Sequence, residues 1–231
     1  MGYDWETLEG CIRIKLAENI IKESMPSFDG ITILDVGCRV GNFTKYMLKL
    51  GAKVTGIDID DQALLEARYN NQDANIIYAD VNKYNTKDKY DMIFIKDVIE
   101  HVDNPQLLIN RMSTMQNKGG RIIIGTQNSF SLTYLIDGLY TFLSGNVWRG
   151  YDPDHKHFFN PWKFKRILGE SGYKIIKYYS TYHIPYRSIN MRLFGTYGDN
   201  QIYHGIDRLN LNDKWPFNIT GWWICVVAEK I

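Results

Sequence analysis

The spacing of apolar positions changes repeatedly along the chain, and each change marks an element. Leu8, Ile12, Leu16 and Ile20 recur every four residues and predict an amphipathic helix over 8–23. Pro26, Asp29 and Gly30 stop that helix and turn the chain. The run ITILDVG is continuously apolar rather than alternating, which predicts a strand over 32–36 buried on both faces. Phe43, Met47 and Leu50 then return to helical spacing, and Gly51 closes this second helix. The same alternation continues through strand KVTGID, a helix over 61–69, strand NIIYAD at 75–80 and strand YDMIFIKD at 90–97. Asp103 or Asn104 caps the next helix with Pro105 in its first turn, Gly119 and Gly120 turn the chain, and RIIIGT supplies a fifth strand. Strands and helices that alternate over 30–125 predict a parallel sheet with helices on both faces.

The remainder is less regular. Leu132, Leu135, Ile136 and Leu139 predict a helix over about 129–143, followed by the aromatic stretch NVWRGYDPDHKHFFN. Asn160 and Pro161 read as cap and first position of another helix, and 174–182 and 221–230 as strands. Between those strands lie about 35 residues without clear period, expected to be a functional cover. Trp148, Tyr151, Phe158 and Phe159 of the aromatic stretch are likewise assigned to a cover rather than to the core, and Tyr3 and Trp5 are candidates to close over a ligand. The expected organisation is a single domain over 1–231, with a binding core at about 30–125 and cap insertions at about 126–160 and 183–215.

Charge narrows the field of partners. Lys plus Arg is 27 against 26 for Asp plus Glu, so no global field attracts nucleic acid. Apolar residues at 45% and charged residues at 23% exclude a disordered chain. Cys11, Cys38 and Cys225 are too scattered for a disulfide framework or a metal knuckle, which suits a reducing, cytoplasmic setting. The opening MGYDWETLEG lacks the pattern of a signal peptide, and no apolar run is long enough to span a bilayer. Lys163, Lys165 and Arg166 form a short basic patch, read either as an attraction for an acidic substrate or lipid headgroup or as a solvated helix face.

The most informative string is ILDVGCRVGNF at 33–43, a strand, a glycine turn and a helix start. The free N–H groups of such a turn and helix end can hold the polar end of a ligand. Arg39 and Asn42 stand where a dinucleotide fingerprint needs glycine, and no P-loop lysine follows. Asp35, Asp58, Asp80 and Asp97 each stand at the end of a strand. Asp58 is placed for the hydroxyls of a ribose, Asp80 for an adenine amino group, and Asp35 to accept hydrogen bonds from the glycine turn. Acids along one sheet edge suit a cationic ligand better than a pyrophosphate.

At these residues the chain resembles class I S-adenosylmethionine-dependent methyltransferases of the ubiquinone-biosynthesis O-methyltransferase type. ILDVGCRVG is similar to the family's glycine motif and VTGIDID to its second motif. YDMIFIKDVIEHVDNP and HKHFFNPWKFKRILGESGY resemble its strand-four and late segments. The resemblance implies a Rossmann-like fold: a mostly parallel seven-stranded sheet, order 3-2-1-4-5-7-6 with the last strand antiparallel, and a small helical, aromatic cap. It also implies S-adenosylmethionine as cofactor, bound by Asp35, Gly37, Cys38, Arg39, Gly41, Asp58, Ile59, Asp80, Val81 and Lys96. Glu100, His101, His155 and His157 are the implied catalytic candidates, with one of the two alternating histidines facing the acceptor and the other packing. By analogy Asp97, Glu100 and His101 match an arrangement that holds a divalent metal in quinone O-methyltransferases; the sequence permits a metal without favouring one.

The implied activity is in-line methyl transfer to a small-molecule acceptor, with oxygen the leading acceptor atom. Arg39 departs from the pattern, because the family carries glycine there and a positive φ would strain an arginine. Its side chain either points away or contacts the cofactor carboxylate. Alternatives stay open. An RNA or protein methyltransferase would need a basic, aromatic surface, and a non-catalytic cofactor-binding module would follow from Arg39. Oligomeric state is unassigned, although a Tyr- and Trp-rich cap is suited to a homodimer contact.

Overall fold

Alternate strand residues face opposite sides of a sheet, and here both sides are apolar. Leu34, Val36, Ile93, Ile95, Ile122, Ile124, Ile224 and Val226 build one hydrophobic layer, and Ile33, Met92, Phe94, Ile123, Trp223, Cys225 and Val227 build the other. The computed structural model describes residues 11–147, 150, 152–184 and 201–231, the side chains of 201–203 excepted. Its elements are α1 (Ile12–Ser24), β1 (Thr32–Val36), α2 (Asn42–Lys49), β2 (Lys53–Asp58), α3 (Asp61–Asn70), β3 (Asn75–Tyr78), β4 (Tyr90–Lys96), α4 (Pro105–Thr114), β5 (Gln116–Gln127), α5 (Leu132–Leu143), α6 (Pro161–Glu170), β6 (Tyr173–Thr181), α7 (Gln201–Asp207), α8 (Phe217–Thr220) and β7 (Trp223–Lys230). α4 and α6 cover the first layer through Leu108, Ile109, Met112, Phe164 and Ile167, while α1 and α2 cover the second through Ile12, Leu16, Ile20 and Met47.

The seven strands run β3-β2-β1-β4-β5-β7-β6, as the resemblance implies. β1 to β5 are parallel, and β7 is antiparallel to both of its neighbours. α4 starts as the sequence suggests, with the Asn104 side chain accepting from the Leu107 N–H and Pro105 at its first turn; Asn104, not Asp103, is the cap.

Three expectations are corrected. Gly119 and Gly120 do not separate a turn from the fifth strand. β5 begins at Gln116, and a bulge between pairs Tyr90–Gln116 and Met92–Arg121 absorbs the extra residues, with Gly119 at φ 76°. The segment after β6 is not without elements, since it holds α7 and α8, both too short to show a stripe. Phe159 is core rather than cover: it is 1% exposed and its ring lies 5.1 Å from that of Phe164. Phe158 remains 41% exposed. Tyr3, Trp5, Trp148 and Tyr151 lie outside the described residues, as do 185–200 of the second insertion. The three cysteines are free, and no helix among the described residues is long and apolar enough to cross a membrane.

Candidate functional site

β1, β2, β3 and β4 all end at one edge of the sheet, and a cleft of about 850 Å³ opens there. That volume falls in the range of roughly 300–1,000 Å³ typical of small-molecule sites. Asp35, Gly37, Cys38 and Arg39 enter it from the first turn, Asp58 and Ile59 from β2, Asp80 and Val81 from β3, and Lys96 and Asp97 from β4. Glu100, His101 and His155 line it further out. Two expected site residues do not reach it. Gly41 stands at φ 82° at the start of α2, where an added Cβ would lie 2.4 Å from Asn71 Nδ2, so it serves the packing of the turn on α3. His157 faces away, with Nε2 3.2 Å from the Asp103 carbonyl oxygen.

The glycine turn is held by its own protein contacts. The Gly37 and Cys38 N–H groups donate to the Ile57 carbonyl at 2.8 and 3.1 Å, and Gly41 N–H donates to Cys38 O at 2.8 Å. The Arg39 N–H donates to Asp58 Oδ2 at 2.8 Å, and Asp58 Oδ1 accepts from Asp60 N–H at 2.9 Å. The N–H groups of Gly37, Cys38, Arg39 and Gly41 are therefore spent inside the fold rather than left free for a ligand. Gly37 itself is obligatory, being at φ 77° with Val98 Cγ2 only 2.3 Å from where a Cβ would sit. Asp35 does not accept from the turn either. It takes the Thr44 hydroxyl at 2.6 Å, tying β1 to α2, and burial pushes its carboxyl up to about 7.

Arg39 adopts φ 47°, the left-handed region. Arg39 is exposed and is one of the residues that line the cleft. Burial pushes the Cys38 thiol up, which leaves it protonated and inert. Asp80 Oδ1 accepts from the backbone N–H and side-chain amide of Asn82 at 2.8 and 3.0 Å. Ile59, 61% exposed, and Val81 supply apolar surface on either side of the acids.

An ionic knot closes the other end. Asp97, at φ 53°, receives Lys96 Nζ at 2.5 Å and Arg13 at 3.3 Å on Oδ2, and Trp223 Nε1 at 3.0 Å on Oδ1. Burial would raise the Asp97 carboxyl, but Lys96 and Arg13 outweigh it and hold it down to about 2. Burial lowers Lys96 in turn, with Asp97 opposing. Two cations thus share one carboxylate and leave a net positive charge at this end. Arg13 was not foreseen: periodicity sets it beside the buried stripe of α1 but names no partner for it.

Near the mouth, Glu100 is 2% exposed and its Oε2 has no partner; burial, then Asp97, push it up to about 8. Its backbone carbonyl accepts from the N–H groups of Lys156 and His157, at 2.9 and 3.1 Å, pinning the aromatic stretch to the end of β4. His101 Nδ1 lies 3.3 Å from the Asp154 carbonyl oxygen, and its ring meets that of His155 edge-on at 4.7 Å. Burial, then His101, lower His155. Glu100, His101 and His155 each offer a ligand atom within 4.8 Å of the others, a geometry able to hold a metal ion.

Comparison with known proteins shows the family and the fold. A methyltransferase-domain family model matches residues 12–178. A ubiquinone biosynthesis O-methyltransferase of Aeromonas salmonicida is 32% identical over 161 residues, covering 67% of each chain. A mitochondrial counterpart from Dictyostelium discoideum is 31% identical over 144 residues, and that match spans only 44% of its length. Among solved structures, an S-adenosylmethionine-dependent methyltransferase from Listeria monocytogenes superposes with a TM-score of 0.67 at 18% identity, covering 96% of this chain and 100% of that one. The magnesium protoporphyrin IX methyltransferase of Synechocystis, solved with bound SAH, gives 0.64 at 15% identity, covering 100% of this chain and 89% of that one.

Proposed function

Since the chain belongs to the class I S-adenosylmethionine-dependent methyltransferases, we propose that it methylates an oxygen of a small-molecule acceptor held at the Glu100–His101–His155 end of the cleft. The observation that carries the reading is the joint presence of Asp58, Asp80 and the Lys96–Arg13 cations in one cleft. Asp58 is already oriented by two backbone N–H groups and keeps lone pairs for the hydroxyls of a ribose. Ile59 and Val81 offer apolar flanks for a purine, with Asp80 at its edge. The surplus positive charge of Arg13 and Lys96 suits the carboxylate of the methionine end. This donor set fits a nucleoside linked to an amino acid.

When bound, S-adenosylmethionine supplies a methyl group already activated on sulfur, so the protein's work is positioning and proton handling. His101 is assigned the proton. The Asp154 carbonyl can only accept, so Nδ1 of His101 carries the hydrogen and Nε2 is left as the base for an acceptor hydroxyl. His155, edge-on against its ring, braces that imidazole, and the Glu100 carboxyl lies within 4.8 Å of the ligand nitrogens of both histidines. The same three side chains suit a divalent ion as a second reading, and its chemistry there would be to lower the pKa of the acceptor hydroxyl. The O-methyltransferase names of the relatives favour oxygen as acceptor atom, and the near-balanced charge disfavours RNA.

Calorimetric titration tests the reading. Both S-adenosylmethionine and its demethylated product should bind, and Asp58→Ala should weaken each by ~1–3 kcal/mol, about 5- to 150-fold. Absence of binding by the unaltered chain would overturn it.

A further inference from the structure

Among the described residues, β5 gives the wall of the cleft a single residue, Gln127, the last of the strand. The sheet order sets what it can reach. β4 lies between β5 and β1, so Gln127 stands on the side of Asp97 away from Asp58 and Asp80. Three strand spacings separate β2 from β5, about 14 Å at roughly 4.8 Å each. Glu100 and His101 follow β4, the neighbouring strand, which puts Gln127 at the acceptor end of the cleft rather than the nucleoside end.

Its backbone is fixed on both sides. Gln127 pairs with Trp223 of β7, and the Asn128 side-chain amide donates to the Ile219 and Gly221 carbonyls at 2.8 Å each. The side chain is held as well, because the Tyr134 hydroxyl donates to Gln127 Oε1 at 2.7 Å. Tyr134 is a firm anchor: α5 turns Thr133, Tyr134 and Asp137 inward and leaves its leucines exposed, and the Ser131 side chain accepts from the Tyr134 N–H at 3.2 Å. Phe158 meets the Tyr134 ring edge-on at 6.2 Å. A glutamine amide carries one acceptor oxygen and two donor hydrogens. With the oxygen engaged by Tyr134, the Nε2 hydrogens find no acceptor among the described residues, and Nε2 is not one of the buried unpaired atoms. Gln127 therefore offers the cleft uncharged donors whose direction is already set. Their complement is an oxygen with lone pairs and no hydrogen of its own, a carbonyl or a carboxylate.

We propose that Gln127 determines acceptor specificity: its amide N–H groups grip a carbonyl or carboxylate oxygen on the molecule whose hydroxyl is methylated, and Tyr134 is the positioning residue that keeps those donors turned to the cleft. This inference rests on the methyl-transfer reading above. The test uses the full chain saturated with the demethylated product of S-adenosylmethionine and three phenols of similar size. 3-Hydroxyacetophenone carries a neutral carbonyl, 3-hydroxybenzoate a carboxylate, and 3-ethylphenol neither. In ligand-observed NMR titrations, at least one of the first two should bind roughly tenfold more tightly than 3-ethylphenol. Whichever of them gains more identifies the oxygen as neutral or charged. Gln127→Leu should erase that preference while leaving 3-ethylphenol binding and product affinity as they were. Tyr134→Phe keeps the packed ring and should weaken only the oxygen-bearing probe, by several-fold, a split that a purely structural role would not produce. Equal binding of the three phenols, binding of none, or a preference that survives Gln127→Leu overturns the proposal. If the product binds normally in those cases, the cofactor reading stands and only the assignment of Gln127 falls; if the product itself fails to bind, both fall.

Discussion

Asp35 couples stability to acidity. Its carboxyl lies buried at about 7, against about 4 in an unfolded chain, so the folded state holds its proton more tightly. The favourable contribution is therefore complete below pH 4 and is lost as pH rises to 7, an effect of up to roughly 4 kcal/mol. Asp35→Asn keeps an acceptor for the Thr44 hydroxyl and removes the titration. The stability of the variant relative to wild type should climb between pH 4 and 7 and level off above, measured by denaturant melts of the ligand-free protein. A flat difference would show that the carboxyl does not titrate in that window. Arg39 carries strain of another kind. At φ 47° an arginine costs ~1 kcal/mol or more, so Arg39→Gly should raise the melting temperature by ~2–4 °C while leaving the backbone bond to Asp58 in place. A lower melting temperature would mean the guanidinium contributes more than its backbone costs. The acids of the cleft and Gly37 were legible in the sequence because each stands at the carboxyl end of a strand. The direction of Asp35 was not, since Thr44 competes for it and lies a turn into α2.

The elements themselves follow from periodicity wherever one face meets a core. β1 and β2 match their apolar runs at both ends, because strands buried on two faces leave no ambiguity of period. α6 begins where Asn160 and Pro161 indicate, and the Asn160 side chain accepts from the Lys163 N–H at 2.9 Å. Asn160→Ala should cost ~1 kcal/mol and lower the melting temperature by ~2–4 °C, readable by calorimetry. Two features escaped the pattern for local reasons. The glycines of β5 look like a turn in sequence, yet the strand continues past them because β4 supplies partners on both sides of the bulge. α5 was legible as a helix but not in its orientation, since spacing reports a stripe and not what the stripe faces.

At the scale of the whole molecule, the cleft gathers residues from 13 to 155, and its two ends were not equally readable. The nucleoside end is written in consecutive strand termini. The ionic end is assembled from α1, β4 and β7, which are remote in sequence and meet only when the sheet is complete. Binding should stabilise the assembled fold as a unit: at a 100-fold excess over its dissociation constant, S-adenosylmethionine contributes ~2.7 kcal/mol and should raise the melting temperature by roughly 5–10 °C. A thermal-shift titration that shows no rise would contradict a cofactor held across the whole cleft. β7 gives the fold an order in time. Trp223 is synthesised after every other strand of the sheet, yet its strand is the wedge between β5 and β6, and its indole completes the knot at Asp97. A growing chain therefore carries an open seam beside a half-made ligand pocket until β7 has emerged, and competence to bind arrives only with that strand.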